Sequence, residues 1–368
     1  MAGNDGWMIY GATGYTGTLI AEEAVRRGLR PVLGGRSAEK LRPLAERLNL
    51  ASVVTDLDDG PGLARAVRGL RLVFHAAGPF VRTSLRMINA CLAEGTSYVD
   101  ITGEIPVFEQ TFSLDAQARA KKLFLISGLG FDVIPTDCLA LHVSQKLPGA
   151  TRLELAIAAL GRTSAGTAKS ALGLLPTGGC VRRGGVMVSY PLGKGAQTVR
   201  FSDRPRLALP VPWGDLATAH RTTGIGDVTT WMALPAGLVK VMRVCWPLNS
   251  AALPLLRPLL RSQGVLRAAE RLIEKRIQGP SEQARQRGRA YLWAKASDAR
   301  GNQVEAWLET MDGYDFTAVA GVRAIEQLLA GRTVGATTPA SALGADFVAA
   351  LPRTQRLDAL PGEAPTPP

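Results

Sequence analysis

The stretch Trp7-Met8-Ile9-Tyr10-Gly11-Ala12-Thr13-Gly14-Tyr15-Thr16-Gly17 decides the fold. Its first four residues read as a short apolar strand that stops at glycine. Thr16 to Arg27 reads as a helix ended by Gly28. The turn between them has three glycines spaced GxxGxxG rather than the commoner GxGxxG. Small residues at such a turn let backbone approach a pyrophosphate, and the helix that follows presents N–H groups and a partial positive charge. A strand before and a helix after are the context a dinucleotide-binding turn requires. Gly11, Thr13, Gly14, Tyr15, Thr16 and Gly17 are therefore cofactor candidates. A tight turn without a ligand is the alternative, and the surrounding strand–helix–strand context argues against it.

Outward from this turn the same rhythm repeats. Further strands are read at Pro31–Leu33, Ser52–Val54, Leu72–Ala77, Tyr98–Ile101 and Leu123–Ser127, with helices between them. Six strands alternating with helices imply a Rossmann-type, doubly wound parallel α/β sheet. The second strand runs into Gly34-Gly35-Arg36-Ser37. An NAD-binding chain usually carries a carboxylate there for the ribose 2′-hydroxyl. Here Arg36 offers a planar fork for a 2′-phosphate, with Ser37 and Lys40 nearby, so the expected cofactor is NADP(H). A solvated arginine at a helix start is the other reading of Arg36. Asp56, after the third strand, is placed to meet the adenine amine. Ala77-Gly78-Pro79, after the fourth, lets the chain pass close to the ribose and nicotinamide. Ordinary loop chemistry is the alternative for both.

Composition narrows the classes. Among 368 residues, 43 Lys and Arg face 31 Asp and Glu, a net charge of +12, which favours anionic partners. The basic residues are scattered, and neither zinc-finger spacing nor an aromatic RNA-binding signature is present, so nucleic acid is not expected. Cys91, Cys138, Cys180 and Cys245 form no CxxC pair and only three histidines exist, which gives no metal-site pattern. His75 falls in an apolar strand and reads as core; Cys138 reads as a small buried residue rather than a nucleophile. The polar start runs straight into a strand, so no leader is read and the cytoplasm is the expected compartment. From Trp231 to Leu260 the chain is largely apolar, but Lys240, Arg243, Arg257 and four prolines interrupt it. That is no spanning helix. With the basic residues up to Ile277 it reads as a peripheral membrane or acyl-carrier contact, or else as the wall of an apolar domain.

Several stretches together resemble the saccharopine dehydrogenase-like oxidoreductase family, most closely the branch that includes trans-acting enoyl reductases. They are GATGYTG at 11–17, GGRSAEKL at 34–41, AAGPF at 76–80, ACLAEGTSYVDITGE at 90–104 and GLGFDVIPTDCLA at 128–140. SAGT at 164–167, PWGDLATA at 212–219, DGYDFTA at 312–318 and TPASALGADFV at 338–348 extend the likeness. The resemblance implies a Rossmann domain interrupted in sequence by a mixed α/β domain. The expected boundaries are 1–135 for the cofactor domain, completed by about 316–352, then 136–315 for the substrate domain and 353–368 for a loose Pro-rich tail.

Ligands of a doubly wound sheet sit beyond the carboxyl ends of its strands. Two loops there carry carboxylates: Tyr98-Val99-Asp100-Ile101-Thr102-Gly103-Glu104, and Gly128 to Cys138. Reduction of C=C or C=N needs a proton donor. Tyr98, Asp100, Glu104, Asp132 and Asp137 are the candidates, and turn or helix capping is the alternative for Asp100 and Asp137. The resemblance puts Asp132 first, because the glycine–apolar–aspartate turn borders the substrate site in saccharopine-type relatives. The leading expectation is an NADPH-dependent reductase acting on C=C in an apolar acyl or lipid-like substrate, free or carrier-bound. The alternatives are a saccharopine-type C–N oxidoreductase acting on an amino-acid adduct, and a non-catalytic, membrane-associated NADP-binding protein.

Overall fold

The structure is a computed structural model that describes residues 6–159, 164–174, 178–191, 193–244, 262–277 and 279–360. The chain divides into two compact units: Met1–Ile134 with Tyr314–Leu343, and Pro135–Gly313 with Gly344–Pro368.

In the first unit, β1 (Trp7–Tyr10), β2 (Val32–Gly35), β3 (Ser52–Val54), β4 (Leu72–His75), β5 (Ser97–Asp100) and β6 (Phe124–Ile126) join a late two-residue strand, β15 (Gly335–Ala336). The order is β15-β6-β5-β4-β1-β2-β3, and every pairing is parallel. Helices α1 (Tyr15–Arg26), α2 (Ala38–Leu48), α3 (Gly60–Val67), α4 (Phe80–Glu94), α5 (Ile105–Ser113) and α6 (Asp115–Ala120) alternate with the strands. Every residue of β1 and β4 is buried, as a parallel sheet covered on both faces demands. Met8, Tyr10, Val73 and Leu125 pack with Leu63 and Val67 of α3 and Met87, Ile88 and Cys91 of α4. The later helix α12 (Gly313–Ala330) comes close enough that a Cβ on Gly321 would lie 2.8 Å from the Phe74 ring.

This order makes β1 the switch point. The chain leaves it toward β2 and β3 on one side and returns through β4, β5 and β6 on the other. The turns after β1 and β4 are therefore neighbours at the carboxyl end of the sheet, where ligands of such sheets bind. β4 stops at His75, short of the expected Ala77, because the chain turns away at 77–79 after a last bond from Ala76 N–H to the Tyr10 carbonyl. β15 is too short for any periodicity to announce it.

The second unit is built on a mixed sheet. Its strands are β7 (Arg152–Ala159), β8 (Cys180–Arg183), β9 (Val186–Ser189), β10 (Gln197–Arg200), β11 (Pro205–Pro210), β12 (Asp227–Ala233), β13 (Arg289–Ser297), β14 (Gln303–Met311) and β16 (Gln355–Leu357). The main path is β10-β11-β12-β7-β13-β14-β16, with β8 pairing β12 and β9. Only β12 and β7 run parallel along it. Its described helices include α7 (Ile134–Lys146), α8 (Ala165–Leu174), α9 (Asp215–Thr223), α10 (Gln263–Arg276) and α11 (Glu282–Arg287); α13 (Pro339–Leu343) belongs to the first unit. β13 and β14 form an antiparallel hairpin, with Trp293 opposite Trp307. Asp298 closes its turn by accepting from the backbone N–H of Arg300 and Asn302. Trp231, Trp293, Trp307 and Phe201 form one apolar cluster.

Two expectations about the C-terminal part are corrected. Residues from Gly344 belong to the second unit, so the return to the first ends at Leu343 rather than near 352. The segment from Arg353 is not a loose tail up to residue 360: β16 pairs antiparallel with β14, and Leu360 is buried in the tryptophan cluster. Residues 361–368 lie outside the described residues, as does most of the apolar run ending at Leu260. Trp231, at the start of that run, is a buried residue of β12. Among the described residues no helix is long and apolar enough to cross a membrane, and no group of His, Cys, Asp or Glu is arranged to hold a metal.

Candidate cofactor and active site

The glycines of the first turn are required by space and backbone angle. Gly11 has φ +85°, and a Cβ on it would lie 2.8 Å from the backbone nitrogen and the Cβ of Ala77. A Cβ on Gly17 would overlap the carbonyl oxygen of Gly11, and one on Gly14 would lie 3.2 Å from that same oxygen. The turn is pinned by Gly11 and Ala12 N–H donating to the Gly34 carbonyl, and by the Thr18 hydroxyl donating to the Ala12 carbonyl. Thr13, Tyr15 and Thr16 stay partly exposed and Gly14 exposed. No side chain caps α1 at Gly14, and its first turn holds no acidic residue. A helix end of this kind attracts an anion, so the residues present fit a pyrophosphate.

One partner of the turn had no signal in the sequence. The Tyr15 ring meets Tyr314, at the start of α12, edge to face at 5.0 Å. Roughly 300 residues separate the two, beyond the reach of any local pattern.

Arg36 stands exposed at the end of β2. The Ser37 hydroxyl accepts from the Lys40 backbone N–H and caps α2. Lys40 is exposed in the first turn of that helix. The Asp56 carboxylate is exposed and accepts from the Asp58 N–H in a local turn. Beneath this edge the Tyr10 hydroxyl donates to the Thr55 carbonyl, and burial, with Asp56 adding to it, pushes its pKa up to about 12. The edge thus brings Arg36, Ser37, Lys40 and Asp56 to one end of the crevice, with Arg36 free to turn toward a 2′-phosphate.

Three loops gather at the other end. Ala77-Gly78-Pro79 follows β4, with a cis peptide at Gly78–Pro79. The Thr83 hydroxyl donates to the Ala77 carbonyl and Ala77 packs on Gly11. From the loop after β5, Glu104 reaches back and its carboxylate accepts from the N–H of Phe80 at 3.1 Å and of Val81 at 2.7 Å. Glu104 thus acts as the cap of α4. The sequence offered no sign of this, since its partners lie 24 and 23 residues earlier.

Tyr98 and Asp100 are completely buried and belong to one polar chain. The Tyr98 hydroxyl donates to Asp100 at 2.9 Å and lies 3.0 Å from His75 Nδ1. Asp100 also accepts from Thr102 N–H, Gly128 N–H and the Ser127 hydroxyl. Burial lifts the Asp100 carboxyl to about 6 against those stabilising hydrogen bonds, and lowers His75 to about 3, leaving its ring neutral. His75 is core, as expected, but it is a polar member of the core. Asp100 ties the β5 and β6 loops together beneath the crevice.

Asp132 follows β6 and remains partly exposed. A Cβ on Gly103 would lie 3.0 Å from its Oδ2, so the glycine makes room for this carboxyl. Burial of the carboxyl, and then the negative charge of Glu104, push it up to about 6. The loop is held by Phe131 N–H donating to Thr317 of α12 and by Ile134 N–H donating to Gly130. The structure thus brings Asp132 beside Glu104 and sets Tyr98 and Asp100 below. Asp137 belongs to the second unit: it is buried in the first turn of α7 and accepts from the Thr222 hydroxyl of α9 at 2.7 Å. Cys138 next to it is a buried thiol raised by burial, in keeping with a packing residue.

Comparison with known proteins agrees with this geometry. Residues 7–126 match the saccharopine dehydrogenase NADP binding domain. A trans-acting enoyl reductase of Mycobacterium ulcerans (strain Agy99) is 31% identical over 147 residues, 38% of this chain and 35% of that protein. A saccharopine dehydrogenase-like oxidoreductase of Bos taurus is 27% identical over 162 residues, 39% of this chain and 38% of that protein. These matches take in little more than a third of either relative. Saccharopine dehydrogenase (L-Glu forming) of Saccharomyces cerevisiae shares the fold at a TM-score of 0.61, covering 95% of this chain and 99% of its own at 11% identity. Residues 7–126, the larger part of the first unit, are accordingly similar to a saccharopine dehydrogenase NADP binding domain.

Proposed function

We propose that the protein is an NADPH-dependent oxidoreductase that reduces a C=C bond in an apolar acyl or lipid-like substrate. What supports the reading is Asp132, a carboxyl raised to about 6 by burial and by Glu104 beside it, in a unit whose residues 7–126 match an NADP binding domain. When bound, NADPH supplies a hydride. The chain's own part is to bind and to move a proton. The glycine turn receives the pyrophosphate and Arg36 the 2′-phosphate. Ala77-Gly78-Pro79 borders the nicotinamide. Hydride addition at the β-carbon of an enoyl thioester leaves an enolate, and Asp132 donates its proton to the α-carbon, directly or through one water. Tyr98 and Asp100 support the loops beneath and are the reserve candidates; Asp137, bound to Thr222, is the least favoured donor. A protein named as a trans-acting enoyl reductase among the relatives favours C=C over C=N.

A surface feature supports a partner for such a substrate. Residues 236–244 are helical, and Leu238, Val241 and Val244 are 48%, 60% and 74% exposed while Val239 is buried. Their spacing puts three large apolar side chains on one face, opposite Val239. Lys240 and Arg243 are exposed on the same helix. An exposed apolar face on a helix that also carries exposed cations suits an anionic membrane surface, where the protein would sit peripherally in the cytoplasm and meet lipid-like substrates.

The test of the activity is product analysis with 4-deuterated NADPH and an enoyl thioester. Deuterium at the β-carbon of a saturated product is expected. Deuterium appearing only in an amine product from an imine would replace this reading with C–N chemistry. No oxidation of NADPH with either substrate would remove it.

A further inference from the structure

Helices α1 and α4, which follow the neighbouring strands β1 and β4, both begin at the carboxyl end of the parallel sheet, and their N-termini are built differently. At α1 no side chain caps Gly14 and no acid stands in the first turn. At α4 the N-cap is Pro79, which also lacks a capping side chain, and the first turn again holds no acid. There the missing carboxylate is supplied from another loop. Both oxygens of Glu104 are used, one on Phe80 N–H and one on Val81 N–H. Glu104 is itself buried and placed by a relay of short turns. Its N–H donates to the Thr102 hydroxyl, and Thr102 N–H donates to Asp100.

The consequence lies one residue upstream of α4. Ala77, the first residue of the turn Ala77-Gly78-Pro79, packs directly against Gly11, where even a methyl group would clash. A negatively charged clamp on the first two N–H groups of α4 fixes the end of that turn and fills the helix end that could otherwise draw an anion. The phosphates are thereby left to α1 and the turn after β4 is left to the uncharged end of the dinucleotide.

We propose that Glu104 is a positioning residue for the nicotinamide end of the cofactor, acting through the Ala77-Gly78-Pro79 turn. This rests on the reading of that turn as the one bordering the nicotinamide. It separates two parts of the cofactor that a general structural role would not separate.

The experiment is calorimetric titration of the full-length protein with NADPH and with 2′,5′-ADP, which lacks the nicotinamide half. Glu104→Ala is expected to weaken NADPH by about tenfold or more and to leave 2′,5′-ADP unchanged within about twofold. Glu104→Gln keeps one acceptor oxygen, so its loss for NADPH is expected to be intermediate, again with 2′,5′-ADP unchanged. The Gln variant decides the matter if the Ala variant does not fold. Equal weakening of both ligands, or unchanged NADPH binding in both variants, would overturn the proposal. A wild-type protein that binds 2′,5′-ADP as tightly as NADPH would instead overturn the reading of the turn, and the proposal with it.

Discussion

At the scale of single residues, Gly17 and Asp132 give the sharpest expectations. A methyl group at Gly17 meets the Gly11 carbonyl, which two flanking secondary structures hold in place. Gly17→Ala should therefore cost about 1–3 kcal/mol of stability, the usual range for overpacking, and open the turn. A lowered Tm together with lost NADPH binding is the expected result; a stable variant that still binds would show that the turn has slack. For Asp132, the donating form exists at and below about pH 6 and disappears above it. Turnover limited by that proton should fall as pH rises through about 6. Stability has the same sign. A carboxyl raised from 3.8 to about 6 on folding contributes stability that is full below its ordinary range and lost as pH climbs through about 6. Asp132→Asn should lower turnover by about 10²-fold and remove that limb of the pH profile while NADPH still binds. Wild-type turnover in the variant would make Asp132 structural. Much of this end of the molecule was legible beforehand because glycines and charged residues at strand ends are local signals. Glu104 as a cap and Tyr314 beside Tyr15 were not, because each depends on a partner brought in by the fold.

At the scale of elements, alternation of short strands with helices was enough to give the parallel sheet, since inner strands such as β1 and β4 are buried on both faces and read as continuous apolar runs. The hairpin of β13 and β14 closes on a local turn in which Asp298 accepts from Arg300 and Asn302. What escaped was β15 and β16, two and three residues long, whose pairing is dictated by neighbours and not by their own composition. β16 carries a consequence. It covers the edge of β14, placing Leu357 opposite Trp307, and leads Leu360 into the tryptophan cluster. The following Asp358 accepts from His142 and Lys146 of α7. Ending the chain after Pro352 should therefore destabilise the second unit by about 2 kcal/mol or more, the order expected for uncovering one buried leucine and its neighbours. A red shift of tryptophan emission should accompany the lower Tm. An unchanged spectrum and Tm would mean that the C-terminal strand adds nothing to that core.

At the scale of the whole molecule, the net charge of +12 and the exposed apolar face at Leu238, Val241 and Val244 bear on where the protein works. Flotation with anionic vesicles at low salt should carry the protein upward, and Leu238→Ser with Val241→Ser should abolish this without altering NADPH binding. Failure of the wild-type protein to float would dispose of the membrane partner. Cofactor preference follows from one charge after β2: Arg36 stands where an NAD-specific chain would carry a carboxylate. Calorimetric titration of the wild-type protein and of Arg36→Ala with NADPH and NADH puts this preference to the test. NADPH should bind more tightly than NADH by about 1–3 kcal/mol, and Arg36→Ala should remove most of that difference. Equal affinity for the two cofactors in the wild-type protein, or a preference untouched by the substitution, would contradict it.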